Sequence, residues 1–111
     1  MAKIIPTIKA IVHMKAECEG GRHSYFSAEY CPHLVVDPSS QYLAVRVLSV
    51  DDSLTPGEVF PDSTAQVTIQ LMYYPNVSYI SLQEGSNFKI MEGAICVGTG
   101  TVLKCLMPEA A

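Results

Sequence analysis

From Thr64 to Leu71 polar and apolar residues alternate one for one, with Thr64, Gln66, Thr68 and Gln70 on one parity and Ala65, Val67, Ile69 and Leu71 on the other. A strand places every second side chain on the same face, so this run predicts a β-strand with one wet and one dry side. The same parity carries Tyr73 inward and leaves Tyr74 outside it. A strand with a dry face is not stable alone, and the rest of the chain must supply strands to cover it.

The chain does so. Ile8, Ala10, Val12 and Met14 alternate with Lys9, Ile11, His13 and Lys15, which gives a first strand with His13 turned away from the core. Pro32 marks the start of a short apolar run, Leu34-Val35-Val36. Tyr42 to Val50 carries Leu43, Val45 and Val47 on one face. Phe88 to Met91 is a short strand, and Ala94 to Leu106 closes the chain. Turn chemistry separates these runs at Gly20-Gly21, at Asp37-Pro38-Ser39-Ser40, at Tyr74-Pro75-Asn76, at Gln83 to Asn87 and at Glu92-Gly93. Thr55-Pro56-Gly57 has Pro and Gly where a type II turn needs them. Gly98 and Gly100, inside the last strand, predict a bulge or a close approach of the backbone to a neighbour. No stretch shows helical apolar spacing behind a cap. Short strands between Gly and Pro turns imply an all-β sandwich or barrel: one domain over residues 8–106, with tails at 1–7 and 107–111.

Composition bears mostly on function. The 111 residues suffice for one core, and 49% apolar against 16% charged residues implies a folded chain. A formal charge of -4 argues against a non-specific nucleic-acid binder, which would be basic. No run is long and apolar enough for a membrane helix or a secretory leader, so no membrane partner is expected. Cys18, Cys31, Cys96 and Cys105 lack Cys-x-x-Cys spacing and imply reduced thiols in a cytoplasmic protein. No Gly-x-x-x-x-Gly-Lys-[Ser/Thr] loop is present, so no nucleotide is expected.

Several side chains could carry chemistry. Arg22 and His23 could meet a phosphate or an acidic partner; the plainer reading has Arg22 bonding loop carbonyls and His23 packing. His13, Cys18, His23, Cys31 and His33 crowd the first third, but no pair has zinc-ligand spacing, so no metal and no cofactor are expected. Cys31 with His23 or His33 would need an activated thiolate and an oxyanion site, which nothing singles out, so the chain is expected not to be an enzyme. Tyr73-Tyr74-Pro75 could form an aromatic interface patch or simply lid the core.

Three stretches resemble a known family. Glu19-Gly20-Gly21-Arg22-His23 is followed by Tyr30-x-Pro32; Val67 to Leu71 runs to Pro75; and Phe88-x-Ile90-x-Glu92-Gly93 leads to Val97-Gly98-x-Gly100-x-Val102. In this order and spacing they resemble the C-terminal, third domain of translation elongation factor Tu, over roughly Ile8 to Cys105. The resemblance implies a six-stranded antiparallel, Greek-key-like β-barrel without catalytic residues. In the family this domain helps hold the aminoacyl-tRNA arm, contacts the nucleotide-exchange partner and docks on the GTPase domain. Arg22 and His23 match the motif. The family's arginine before the proline is Cys31 here, its glutamine after the proline is His33, and its basic, threonine-rich stretch is shortened to Asp37-Pro38-Ser39-Ser40. The His-Pro tip that faces the exchange partner is Tyr74-Pro75, and a Pro-Gly-Asp turn has become Pro61-Asp62-Ser63.

The expectation is a free-standing relative of that domain, a non-enzymatic binding module whose partner is a protein of the translation apparatus. Arg22, His23, His33, Tyr74 and Pro75 are its candidate binding residues, and tRNA binding is weak or absent. The alternatives are a regulator or antitoxin-like adaptor that reuses the barrel, or a weak tRNA-binding module.

Overall fold

A computed structural model describes residues 6–37, 40–74 and 79–106. The six strands are β1 (Thr7–Met14), β2 (His33–Val35), β3 (Leu43–Asp52), β4 (Thr64–Leu71), β5 (Asn87–Glu92) and β6 (Ile95–Leu106). They close into a barrel in the order β1-β4-β3-β2-β5-β6, with every neighbouring pair antiparallel. The run β2-β3-β4 is flanked by β1 beside β4 and β5 beside β2, which is Greek-key connectivity. Closure leaves the barrel without a free edge strand.

The alternating residues do what their parity requires. Ile8, Ala10, Val12 and Met14 from β1, Leu43, Val45 and Val47 from β3, and Ala65, Val67, Ile69 and Leu71 from β4 all lie in one core, each 3% exposed or less. Burial of this much branched aliphatic surface is the main stabilising term. Phe26 and Val59, from the two long loops at one end, cap that core and bridge each other by backbone hydrogen bonds of 3.0 and 2.9 Å. No helix among the described residues is long and apolar enough to cross a membrane.

The tyrosine pair departs from the strand parity. Tyr73 is 55% exposed, whereas Tyr74 is half-buried and packs against the core. β4 stops at Leu71, and the Tyr74 amide turns back to the Leu71 carbonyl at 3.3 Å. Once the chain leaves the extended conformation, period-two alternation no longer sets which way a side chain points. The core position at this end goes instead to Tyr79, 1% exposed, whose hydroxyl donates to the Ala44 carbonyl (2.8 Å) and accepts from the Tyr73 amide (3.1 Å).

The glycine corner has a more specific construction than two free residues. A single 3-10 turn, Glu17–Glu19, precedes it, and Gly20 ends that turn at φ 94°. Gly21 is needed for space: a Cβ there would lie 2.2 Å from the Lys15 carbonyl oxygen.

Candidate functional site

The corner delivers Arg22 to the far end of the sequence. Its guanidinium donates to the carboxylate of Glu92, in the β5–β6 hairpin, and forms an ion pair with it. The Tyr30 hydroxyl donates to the same carboxylate oxygen. The guanidinium also lies over the Tyr30 ring, 4.6 Å from its centroid, and Tyr30 stacks on Phe26 with centroids 4.5 Å apart. Arg22, Tyr30 and Glu92 therefore form one clasp between the two glycine-bearing motifs. Burial alone would lower the Arg22 pKa, but the bond to Glu92 and the charges around it hold it above its ordinary value. Burial and the bond to Glu92 push the Tyr30 phenol well up, so it stays a neutral donor.

Arg22 thus neither bonds loop carbonyls nor stands free for a phosphate. Its partner escaped sequence reasoning although Glu92 and Tyr30 both sit in the quoted motifs. The available signal was charge complementarity between an arginine in one motif and a glutamate in the other. His23, expected in the plainer reading to pack, is exposed instead, with Nδ1 2.7 Å from Glu17.

His33 opens β2, between Ala44 of β3 and Met91 of β5, and its ring tilts against Tyr42 at 5.8 Å. It is not brought beside Arg22 by any bond. Tyr74 lies beyond β4, in the connection from β4 to β5, and Pro75 lies outside the described residues. Among the described residues, Arg22, His23, His33 and Tyr74 therefore share no hydrogen bond or ion pair with one another. Nor do the five His and Cys of the first third: His13 meets Thr64 at 3.0 Å, and Cys18 and Cys31 are exposed. Among the described residues no group of three or more His, Cys, Asp and Glu stands together as a metal cage.

Three of the other described cations are also engaged, while Lys15 and Lys104 face no carboxylate among the described residues. Lys9 lies 3.6 Å from Asp51, Arg46 3.2 Å from Glu29 and Lys89 4.0 Å from Asp37. Burial would raise Asp51, but hydrogen bonds from Thr68 and Ser49 and the charge of Lys9 outweigh it and hold the carboxyl below its usual range.

A groove of about 640 Å³ crosses the outer face of β1, β6 and β5. Ile11 and His13 stand on one side, Val35, Val36 and Lys89 on the other, and Thr99 and Thr101 form its floor. The cross-strand register places these side chains in rows, His13-Thr99-Lys89-Val35 and Ile11-Thr101-Asn87. The groove exists because β6 presents only threonine and glycine there, which leave space between the larger residues on either side.

A closed six-stranded antiparallel barrel, with its glycine corner clasped to its last hairpin and an open groove on its flank, defines a small all-β barrel domain. The chain belongs to the elongation factor Tu C-terminal domain family, which matches residues 2–106.

Proposed function

We propose that the protein is a non-enzymatic binding module of the cytoplasm whose partner is a protein of the translation apparatus rather than tRNA. The family supplies the translation context, and its GTPase activity belongs to another domain. The observation that supports the choice of partner is the state of the described cations: Lys9, Arg22, Arg46 and Lys89 each already face a carboxylate, and the two that do not, Lys15 and Lys104, lie towards opposite ends of β1 and so do not gather on one spot. Phosphate contacts supply most nucleic-acid affinity and need free Lys or Arg on one face. Breaking the Arg22–Glu92 pair to reach a phosphate would leave Glu92 uncompensated beside the incoming charge.

The groove, with apolar sides and a threonine floor, has the mixed character of a protein docking surface. His33, Tyr74 and Pro75 remain candidate contacts at the same level of proposal. A titration of fluorescent aminoacyl-tRNA at about 0.15 M salt, where the Debye length is about 8 Å, tests the ordering. Binding weaker than micromolar, alongside recovery of a ribosomal or translation-factor protein in a pull-down, supports it. Sub-micromolar tRNA binding abolished by Arg22→Ala would make a tRNA-binding module the better reading.

A further inference from the structure

Among the described residues Leu54 is the most exposed large apolar side chain, at 91%. It belongs to the connection between β3 and β4, which is built to hold it out. Ser53 Oγ donates to the Thr55 carbonyl, the Glu58 amide closes on the same carbonyl at 3.0 Å, and Gly57 turns the chain at φ 77°. A side chain fixed in place beforehand loses little conformational freedom on docking.

The loop stands beside the groove. Leu54 borders a small hollow that also includes Ile11 and Thr64, and the same two residues border the groove. Across the strands the register runs Asp52-Gln66-Ile11-Thr101-Asn87, so loop and groove lie on either side of Ile11. The bulge at Val97 shapes the far side: it moves the partner of Lys89 from Gly98 to Thr99, and that of Asn87 from Gly100 to Thr101. The surface therefore carries an apolar knob and an apolar-sided recess, with one isoleucine between them.

Charge divides in the same way. Asp52, two residues before the knob, is exposed and has no cation beside it among the described residues, unlike Asp51, which faces Lys9. Lys89, at the side of the groove, is exposed, and its contact with the exposed Asp37 is long at 4.0 Å. Such a pair contributes little and yields readily to a closer carboxylate.

We propose that the occupant of the groove is the Leu54 loop of a second copy of this chain, forming a closed two-fold dimer. Knob and recess on adjoining parts of one surface suit an isologous contact, in which each copy gives its loop and receives the other's, with the axis passing over Ile11. Leu54 enters between Ile11 and Val35, and Asp52 comes to Lys89. Burial of the leucine drives the association, and the opposed charges set its register. The dimer closes the groove to any other protein. It uses the groove but not the identity of the partner proposed above, so a failed pull-down leaves the dimer standing, and a monomeric protein leaves the choice of partner standing.

The test is sedimentation equilibrium of the full chain over a range of concentrations, at low and at high salt. The expected result is a monomer–dimer equilibrium that stops at two and weakens as salt screens the charge pair. Leu54→Asp changes a side chain that the monomer leaves in solvent, and should weaken the dimer by about 100-fold or more, because each dimer buries two copies. Thr99→Tyr, which fills the floor of the groove, should do the same. Asp52→Lys and Lys89→Asp should each weaken it by about tenfold, and the chain carrying both should return close to the parental affinity. A monomer at every concentration, growth beyond two copies, a dimer indifferent to Leu54→Asp or Thr99→Tyr, or no recovery in the double charge exchange would each overturn the proposal.

Discussion

Asp62 sits at φ 60°, in the left-handed region, while its amide donates to the Met14 carbonyl at 3.0 Å. Aspartate tolerates this conformation better than most residues but still pays a Cβ penalty that glycine avoids. Asp62→Gly should therefore raise stability by about 0.5–1 kcal/mol in urea melts, and a loss of stability would mean that the turn depends on the carboxylate. The Arg22–Glu92 pair calls for a double-mutant cycle. Arg22→Ala and Glu92→Gln should each destabilise, and the pair should show a coupling of about 1–2 kcal/mol, because one partner removed leaves the other charge half-buried. Additive losses would mean that the clasp is incidental to folding. Sequence reasoning singled out Arg22 but not what it touches, because 70 residues separate it from Glu92 and no local rule joins them.

Among the elements, β6 is the most constrained. Its two glycines were legible as a bulge or a close approach, and both occur. A Cβ on Gly98 would lie 2.8 Å from the His13 carbonyl oxygen, and one on Gly100 would lie 2.4 Å from the Phe88 ring. The bulge falls one residue before Gly98, at Val97. Gly98→Val should cost about 1–3 kcal/mol, since backbone must yield, and Gly100→Val a similar amount by displacing Phe88 from the core. Chemical denaturation of each variant measures this, and parental stability in both would refute the close-packing account. The same element scale explains the tyrosine error. Alternation is a property of extended chain, and nothing local in Leu71-Met72-Tyr73-Tyr74 announces that the strand has already ended.

At the scale of the whole molecule, one continuous core joins all six strands, and the four cysteines are free thiols. The protein should therefore melt at the same temperature with and without a reductant, to within about 2 °C in calorimetry, whereas a drop of many degrees would reveal a covalent staple. Strand parity and turn chemistry determined most of the architecture in advance. They are local properties, written every second residue and at each Gly or Pro, so the sequence by itself established an all-β chain, its core residues on β1, β3 and β4, and the motifs that mark its family. Strand neighbours are not local. Which carboxylate met Arg22, which tyrosine filled the end of the barrel, and which threonine came to rest beside Lys89 were decided only by barrel closure and by the single-residue slip at Val97. In a sheet, side chains remote in sequence become neighbours through register, and a slip of one residue changes every neighbour beyond it.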